Sequence, residues 1–356
     1  MTQKPATADI ISEPALSIIV PTRDRAEYLR AAIRSCLLST RQDYEVLILD
    51  NASADHTHAV VAAFSDTRLR YERSATRLSM RDNFERGLDH ARGKIVGFIG
   101  DDDGIFDFTP DKVLALFEEH RIDAVSAARA HYGWPDLQSA RRNTGLLPRG
   151  SETIIRQSRQ ALHGLLRHSD YYRLPCIYHG FVRASVLQRV RQQQGRLFLS
   201  SQVDMFSAIA LSMADISFAY CESPLVINGG SSRSNGASHF GGGSSVEKTN
   251  WKKEDDLGFL PGFADHATVG SLIVESAIRY CHHHPATGIS DIFDPDDVRA
   301  TLRHEHDQRV ARGRPLTDYD QTWIAAGLDD RPGAAPPPAP SVAKRLRYLG
   351  RAFGAM

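Results

Sequence analysis

The sequence lacks the features of several common protein classes. Its four cysteines are widely scattered and form no CxxC pair, which is typical of buried thiols in a reducing compartment rather than of disulfides or zinc sites. No apolar run approaches the roughly 18–20 residues that a membrane-spanning helix needs, and the first fifteen residues lack the apolar core of a signal peptide. The 43 basic and 43 acidic side chains balance, so the net charge gives no reason to expect nucleic acid as a partner. We therefore expect a cytoplasmic protein.

Several catalytic and nucleotide-binding motifs are also absent. No GxGxxG follows the first predicted strand, so the dinucleotide-binding fingerprint is missing. Gly93 and Lys94 do not belong to a phosphate-binding P-loop, because the earlier glycine is absent and Ile95 stands where that motif has Ser or Thr. The chain contains no GxSxG and no HExxH. Hydride transfer, P-loop hydrolysis, serine esterase chemistry and zincin chemistry are therefore all disfavoured.

The most informative segment that is present runs from residue 95 to residue 104. An apolar stretch of strand length ends there in three consecutive carboxylates, Asp101, Asp102 and Asp103. Adjacent like charges repel each other, so such a cluster is best explained if a cation neutralises it. Mg²⁺ and Mn²⁺ prefer oxygen ligands, and Mg²⁺ typically binds one or two carboxylates together with the phosphates of a substrate. The alternative is a solvated acidic turn.

Residues 16–130 alternate between strand-like and helix-like segments. Apolar runs of strand length predict strands at residues 16–20, 45–49, 69–72 and 94–99, with helices between and after them. This alternation predicts an α/β fold, with a mostly parallel sheet flanked by helices. Ligands of such sheets bind outside the carboxyl ends of the strands. The segment Pro21-Thr22, the side chain of Asp50 and the acidic triplet stand at three of these ends.

The pattern becomes less regular after about residue 130. Periodicity predicts helices near 151–168, 183–195 and 202–213, strands at 216–221 and 225–227, and further helices over 262–327. Residues 229–245 are rich in glycine and serine and predict a loop too polar to pack, which is either a linker or an active-site lid.

The end of the chain combines a proline-rich spacer with a basic segment. Residues 344–353 interleave basic and apolar side chains, a pattern that suits peripheral contact with an anionic membrane face. The alternative is a frayed, charged terminus.

Three segments in the first 130 residues resemble a known family when they are taken together. They are LSIIVPTRDR, VLILDNAS and SMRDNFERGLDHARGKIVGFIGDDDG. In this order and spacing they resemble the family 2 glycosyltransferases of the GT-A fold, and a looser resemblance continues through Gln202-Val203-Asp204 and PLVINGGSSRSNG. The resemblance implies a flexible N-terminus over 1–14 and a GT-A domain over 15–245, with a nucleotide-binding half at 15–130 and an acceptor-side half at 131–245. A helical C-terminal region at 246–330 and a spacer with a basic tail at 331–356 would follow.

The resemblance also implies a donor, which is a nucleotide diphosphate sugar with uridine as the family's usual base. The implied nucleotide-binding residues are Pro21, Thr22, Arg23, Arg25, Asp50, Arg77, Met80, Asn83 and Asp101. Arg25 and Arg77 are the candidates for the diphosphate, because cationic donors offset its charge. For Asp50 a capping turn is the alternative, and for Met80 a position in the core.

The acidic triplet corresponds in the resemblance to the family's Asp-x-Asp (DXD) element, with Mn²⁺ or Mg²⁺ as cofactor. Many relatives carry an aspartate where this chain has Gly100. We therefore expect Asp102 to ligate the metal and Asp101 to face the ribose or a metal-bound water. We expect Asp103 either to ligate the metal as well or to support the metal ligands without touching the metal. His239 in the glycine-rich loop is a further candidate ligand.

Inverting sugar transfer needs a base that takes the proton of the acceptor hydroxyl. The best match to the family's carboxylate is Asp204, which opens an apolar helix, although Gln202-Val203 replaces the usual acidic neighbour. The alternative is a first-turn acid that the helix dipole stabilises. Tyr178, His179 and Gly180 precede this helix and are expected to bind the acceptor.

The sequence thus predicts an inverting, metal-dependent glycosyltransferase. It would move a sugar to a hydroxyl of a glycan or lipid-linked acceptor, and the resemblance implies bacterial surface polysaccharide synthesis as the setting. One alternative is a sugar-phosphate nucleotidyltransferase, although PTRDRAEYL lacks the glycine-rich phosphate loop of that class. Another is a catalytically inactive sugar-nucleotide or glycan-binding protein, which the missing acidic neighbour of Asp204 would suit.

Overall fold

A mixed β-sheet lies at the centre of the part of the chain that the structure describes. The structure is a computed structural model and describes residues 13–234, 255, 257–263, 268–313, 321 and 326–328. The strands are β1 (Leu16–Thr22), β2 (Tyr44–Asp50), β3 (Leu69–Arg73), β4 (Ile95–Phe98), β5 (Gly104–Ile105), β6 (Ala124–Gly133), β7 (Gly145–Leu146), β8 (Thr153–Gln157), β9 (Phe181–Arg183) and β10 (Ser217–Gly230). Their order is β3-β2-β1-β4-β9-β6-β10-β5, with β7 beside β6 and β8 beside β10.

The longest strand pairings are parallel. β1 pairs in parallel with β2 and β4, β2 with β3, and β6 with β10. The short strand β9 pairs antiparallel between β4 and β6, and β5, β7 and β8 add antiparallel pairings beside β6 and β10. The predicted α/β class and the mostly parallel sheet are therefore confirmed. As a consequence, the carboxyl ends of β1, β2 and β4 share one edge of the sheet.

Helices cover both faces of this sheet. They are α1 (Ala26–Cys36), α2 (Thr57–Ala62), α3 (Met80–His90), α4 (Thr109–Glu119), α5 (Ser158–His163), α6 (Leu165–His168), α7 (Ala184–Gln194), α8 (Val203–Met213), α9 (Val269–His283) and α10 (Pro295–Ala311). Successive side chains of a strand point to opposite faces. On β1, Ile18 and Val20 therefore pack with α1 and α4, while Ile19 shares a second core with α3, α8 and α9. Burial on both faces explains why the central strands are continuously apolar.

The two C-terminal helices join the second of these cores. α9 contributes buried apolar residues to the same cluster as α8. Two buried ion pairs, Glu275–Arg279 at 2.5 Å and Glu305–Arg309 at 2.8 Å, link successive turns of α9 and of α10. Each arginine also donates to a backbone carbonyl of the segment 257–263. Among the described helices, none has both the length and the apolar character needed to cross a bilayer.

Two segments differ from the sequence-based prediction. Residues 153–157, predicted to be helical, form the strand β8, because the β-branched run Thr153-Ile154-Ile155 pairs with β10 along Ala219–Cys221. The predicted strands at 216–221 and 225–227 are one strand, β10, interrupted by a bulge between Cys221 and Val226. β10 continues to Gly230, so the first residues of the predicted polar loop belong to the sheet.

Candidate active site

The carboxyl ends of β1, β4 and β10 converge on the acidic triplet. Thr22, the last residue of β1, donates a hydrogen bond from Oγ1 to Asp101 Oδ2 at 2.8 Å. From β10, the Gly229 amide donates to Asp103 Oδ1 at 2.8 Å. Asp101, Asp102 and Asp103 are only 2%, 7% and 6% exposed. The triplet is therefore a buried anionic corner rather than a solvated turn.

Arg25 places one positive charge on two of these carboxylates. Its Nη1 lies 3.0 Å from Asp101 Oδ1 and its Nη2 lies 2.7 Å from Asp102 Oδ2. Burial opposes the guanidinium charge, but the two carboxylates outweigh it and raise the pKa of Arg25. Burial raises the pKa of Asp101 to about 7, even though Arg25 acts in the opposite direction. The corner thus carries more negative charge than its own arginine neutralises, as a site for a further cation requires.

Asp103 has a different environment from its two neighbours. Its Oδ2 accepts hydrogen bonds from the Gly100 amide at 2.6 Å and the Tyr178 hydroxyl at 3.0 Å, and it lies 2.6 Å from His179 Nε2. Burial disfavours the charge on Asp103, but His179 and the backbone amides outweigh it and lower its pKa. Both oxygens are occupied by protein groups. Asp103 therefore suits the supporting role better than direct ligation.

Asp102 is contacted by a segment whose composition predicted an unpacked loop. Its Oδ2 accepts hydrogen bonds from Ser231 Oγ at 2.7 Å and Ser234 Oγ at 2.5 Å, beside the contact with Arg25. The Trp134 indole donates to the Asp102 carbonyl at 2.8 Å. Ser231 is fully buried. These contacts contradict the expectation that the segment from 229 onwards is too polar to pack, at least as far as residue 234.

The side chains at the ends of β2 and β3 form a second buried cluster. Asp50 is 1% exposed; its Oδ2 accepts from the Tyr71 hydroxyl at 2.5 Å and its Oδ1 from the Ser53 amide at 2.8 Å. The second bond closes a turn over residues 50–53, but α2 begins only at Thr57, so Asp50 does not cap that helix as its alternative reading required. Asn51 binds both backbone groups of Leu78, at 2.8 and 2.9 Å. Asn51 thereby fixes the approach to α3.

The other predicted nucleotide-binding residues lie around these two clusters. Pro21 and Arg23 are partly exposed at the end of β1. Arg77 donates to Asp24 Oδ2 at 2.6 Å and remains 44% exposed at its side chain. Met80 begins α3 and packs partly against the core, while Asn83 is buried and accepts from Arg86 Nη1 at 3.2 Å. Asn83 has little surface left for a ligand.

Asp204 lies in the first turn of α8, as predicted. Its Oδ2 accepts a hydrogen bond from the Tyr171 hydroxyl at 2.5 Å, and its Oδ1 accepts from the Met205 amide at 2.9 Å. The hydroxyl oxygens of Tyr171 and Tyr172 are 2.8 Å apart. Burial, together with the charge of Asp204, raises the pKa of Tyr171 well above its usual range, so this hydroxyl stays protonated and donates.

The three residues predicted to bind the acceptor are mostly interior. His179 is 4% exposed, has a positive φ of 63° and directs Nε2 at Asp103. Gly180 is buried, and a Cβ there would stand 2.1 Å from the Cys176 carbonyl oxygen. Only Tyr178 is partly exposed, and its hydroxyl donates to Asp103. His179 thus supports the acidic corner, and neither His179 nor Gly180 offers an acceptor a surface, which corrects their predicted place.

The donor set fits a metal ion bound together with phosphates rather than alone. Asp102 presents a buried carboxylate that already holds a cation, the Arg25 guanidinium, at 2.7 Å. Among the described residues, no three His, Cys, Asp or Glu side chains are grouped as a complete ligand set. Mg²⁺ commonly completes its coordination with substrate phosphates and waters. His239, the remaining predicted ligand, lies outside the described residues.

Sequence reasoning missed several residues of this region, namely Trp134, Tyr171, Tyr172, Ser231 and Ser234. Four of them bind a predicted site residue directly, and Tyr172 contacts Tyr171, which binds Asp204. In every case the site residue is more than thirty positions away in the sequence. The segment PLVINGGSSRSNG carried a signal for the two serines, since it belonged to the looser part of the resemblance. Nothing in the sequence pattern marked the two tyrosines.

Comparisons with known proteins relate the first half of the chain to enzymes. Residues 17–177 match the sequence model of the family described as "Glycosyl transferase family 2". The chain is 37% identical over 93 residues to the GalNAc(5)-diNAcBac-PP-undecaprenol beta-1,3-glucosyltransferase of Campylobacter jejuni, a match covering 25% of this chain and 30% of that protein. It is 32% identical over 114 residues to a PGL/p-HBAD biosynthesis glycosyltransferase of Mycobacterium bovis, covering 31% and 44%. The chain therefore matches less than half the length of these relatives.

Similarity to solved structures extends over most of the chain. The crystal structure of S. aureus TarS 1-349 in complex with UDP-GlcNAc superposes with a TM-score of 0.58 at 14% identity, covering 88% of this chain and 79% of that one. Similarity at this level of identity is informative about the fold alone. The predicted GT-A fold is confirmed.

Proposed function

Because residues 17–177 of this chain belong to glycosyl transferase family 2, we propose that the protein is an inverting, metal-dependent glycosyltransferase. It moves a sugar from a nucleotide diphosphate sugar to a hydroxyl of a glycan or lipid-linked acceptor. The observation that carries the proposal is the buried acidic corner beside Arg25, at the carboxyl ends of the strands. Ligands of open α/β sheets bind at this edge.

The proposed donor is a uridine diphosphate sugar. The complex of S. aureus TarS with UDP-GlcNAc supports this choice by analogy of fold. The nucleoside would lie along Pro21, Thr22 and Arg23 at the end of β1, and Asp50 would meet the base or the ribose. Arg77 is exposed enough to reach a diphosphate, at the cost of its contact with Asp24.

The proposed cofactor is Mn²⁺ or Mg²⁺. When bound, it would act as a Lewis acid that neutralises charge on the departing nucleoside diphosphate. Asp102 would hold it, and Asp101 would face the ribose or a metal-bound water. Asp103 fixes the turn from behind through Gly100, Tyr178 and Gly229.

The proposed base is Asp204. A carboxylate that takes the acceptor proton must be held in place and kept from rotating out of reach. The Tyr171 hydroxyl and the Met205 amide hold the two oxygens of Asp204 separately. The Met205 bond also suits a first-turn acid, since that amide is one of the unpaired donors at the start of α8. The Tyr171 hydroxyl is a further partner of Asp204, and it favours an enzyme over an inactive binding protein.

The proposed setting is the synthesis of a bacterial surface polysaccharide or glycolipid. The name of the Campylobacter relative specifies an undecaprenol-linked glycan, and that of the mycobacterial relative specifies PGL/p-HBAD biosynthesis. The undecaprenol in the first name supports a lipid-linked acceptor for this chain. The basic tail, outside the described residues, would add peripheral contact with the inner face of the cell membrane.

Thermal unfolding with UDP and Mn²⁺ tests the donor half of the proposal. Because the acidic corner lacks a complete ligand set among the described residues, we expect Mn²⁺ alone to leave the unfolding temperature nearly unchanged. UDP and Mn²⁺ together should raise it by several degrees, since ligand at about 100 times Kd adds about 2.7 kcal/mol of stability. A full shift with Mn²⁺ alone, or none with both, would contradict the proposal. Release of UDP from UDP-sugars separates an enzyme from a binding protein.

Substitution of Gly229 tests the link between β10 and the acidic turn. A Cβ on Gly229 would stand 1.7 Å from the Asp102 carbonyl oxygen, so Gly229→Ala must displace the acidic turn. We expect about a tenfold or greater loss of UDP affinity, because overpacking typically costs about 1–3 kcal/mol. The neighbouring Gly230 offers a matched control, as its Cβ would meet nothing closer than 3.6 Å. In calorimetry with UDP and Mn²⁺, the UDP affinity of Gly230→Ala should equal that of the unmodified protein. Equal UDP affinities for Gly229→Ala and Gly230→Ala would refute the link between β10 and the acidic turn.

A further inference from the structure

A separate cavity of about 270 Å³ opens between β6 and the turn that follows α6. Its lining includes Arg129, Tyr172, Tyr220, Leu146 and Leu147, none of which belongs to the acidic corner. Ligand pockets typically measure about 300–1,000 Å³. The volume of this cavity lies just below that range. The cavity can hold a small polar head group, and a longer ligand has to extend beyond it.

Tyr172 connects this cavity with the proposed base. Its hydroxyl oxygen lies 2.8 Å from that of Tyr171, which donates to Asp204. The Tyr172 ring also stacks on the His179 ring, with 5.6 Å between centroids, and His179 Nε2 contacts Asp103. The same side chain thus lines the cavity and adjoins both halves of the site. A molecule bound in the cavity would approach Asp204 from the side of β6.

One arginine, Arg129, lines the cavity, and two others contact the ring of Tyr220, which also lines it. The Arg129 guanidinium lies 3.3 Å from the centroid of the Tyr172 ring, and those of Arg156 and Arg173 lie 5.5 and 5.2 Å from the Tyr220 ring. Within the described part of the chain, none of the three forms an ion pair with a carboxylate, whereas Arg25, Arg68 and most other partly buried arginines do. Guanidinium groups held over aromatic rings without a carboxylate partner remain available to an anion.

Acidic groups near the cavity offset the charge of these arginines. Asp170 lines the cavity, Glu222 adjoins Tyr220, and Asp204 acts on Tyr172. Burial and the neighbouring Arg129 and Arg141 lower the pKa of His131, so this histidine is neutral at pH 7. Arg129 is therefore the cation among the residues that line the cavity, and its place over the Tyr172 ring suits it to an anion.

The outer wall of the cavity is apolar and faces solvent. Leu146 and Leu147 line it, yet each remains 62% exposed. β7, which carries Leu146, is a two-residue strand at the end of β6. Two adjacent exposed leucines offer an apolar surface that a ligand can cover. A cation beside an apolar outer wall matches a molecule with an anionic head and an apolar chain.

We propose that this cavity binds the acceptor, and that the acceptor is a phosphate-bearing lipid. The phosphate lies against Arg129, beside the Tyr220 ring that Arg156 and Arg173 contact, and the chain runs outward along Leu146 and Leu147. This assignment rests on the proposed function, because only a transferase needs an acceptor beside Asp204. It makes Arg129 a determinant of acceptor affinity and leaves the donor corner to other residues.

Calorimetry with a soluble lipid phosphate tests the assignment on the full-length chain. Dodecyl phosphate below its micellar concentration is the probe. Inorganic phosphate, which has the charge without the chain, and dodecyl maltoside, which has the chain without the charge, are the two comparison ligands. We expect dodecyl phosphate to bind at least about tenfold more tightly than either, since each half contributes contacts. If inorganic phosphate bound as tightly as dodecyl phosphate, the proposed contact with a lipid chain would be wrong. If dodecyl maltoside bound as tightly, the proposed phosphate site would be wrong.

Two arginine variants separate the cavity from other basic surfaces, including the tail. Arg129→Gln should weaken dodecyl phosphate binding at least about tenfold, as loss of one charged hydrogen-bonding partner does. Arg189→Gln removes the same charge from an exposed position of α7 and should change the affinity less than about twofold. Equal losses in the two variants would overturn the assignment. UDP binding by Arg129→Gln and its unfolding temperature should match those of the unmodified protein. Failure of the donor site would therefore appear in the UDP titration and failure of the cavity in the lipid titration.

Discussion

Asp204→Asn is expected to lower the rate of sugar transfer by about 10²–10⁴-fold, the range that general acid–base catalysis contributes. Asparagine keeps the size of the side chain and an oxygen for the Met205 amide, which Asp204 binds at 2.9 Å. It loses the negative charge that takes the acceptor proton. Affinity for UDP with Mn²⁺ should stay within about twofold, because the substitution removes an interaction made in the transition state rather than one with the donor.

A conservative change next to Asp204 supplies the control for this prediction. Tyr171→Phe removes the hydroxyl that donates to Asp204 Oδ2 but keeps the carboxylate, so a smaller loss of transfer is expected, about tenfold or less for one hydrogen bond. Transfer should be measured as formation of glycosylated acceptor and, separately, as UDP release without acceptor. Asp204→Asn with near-normal transfer would refute the base. Asp204→Asn that also fails to bind UDP would instead make Asp204 part of the donor site.

The nucleotide-binding half was predictable because its signals are local. β2 is buried along all seven of its residues, and such a strand is recognisable as a short apolar run from the sequence alone. Its end at Asp50 and the end of the apolar run at 94–99, just before the acidic triplet, are also visible in the sequence. Since parallel strands bring their carboxyl ends to one edge, the meeting of Thr22 with Asp101 followed from the topology.

The remaining part of the site depends on contacts that no local pattern records. Ser231 lies 206 residues from Arg25, and both bind Asp102. Glycine and serine around Ser231 indicate a loop by composition, yet Gly229 is required there because the backbone of Asp102 leaves no room for a Cβ. β8 was predicted as helix for the same reason, since its partner β10 is some sixty residues away in the sequence.

The different environments of the three aspartates in the acidic triplet could not be predicted from the sequence either. Three identical residues in a row give no indication of which carboxylate is free to ligate. The structure distinguishes them by their partners: Asp103 is surrounded by Gly100, Tyr178, His179 and Gly229. Asp102 instead meets the side chains of Arg25 and two serines, which can change rotamer, whereas two of the groups that hold Asp103 are backbone amides.

This difference predicts opposite consequences for the same chemical change at neighbouring positions. Asp102→Asn should lower transfer by about 10²–10³-fold, comparable to the loss of one electrostatic stabiliser of a transition state, and should abolish the contribution of Mn²⁺ to UDP affinity. Its unfolding temperature should change little, because Arg25 keeps its ion pair with Asp101. Asp103→Asn breaks buried contacts with His179, Gly100 and Gly229 instead, at a cost of about 3–5 kcal/mol.

Thermal unfolding, measured beside Mn²⁺-dependent UDP binding, separates the two variants. Asp103→Asn should unfold several degrees lower than the unmodified protein, whereas Asp102→Asn should lose the synergy between UDP and Mn²⁺ at an unchanged unfolding temperature. If instead Asp103→Asn lost the synergy and Asp102→Asn lowered the unfolding temperature, Asp103 rather than Asp102 would be the metal ligand. If both variants kept the synergy, the acidic corner would serve the fold alone, because its carboxylates would then contribute nothing to a metal-bound diphosphate.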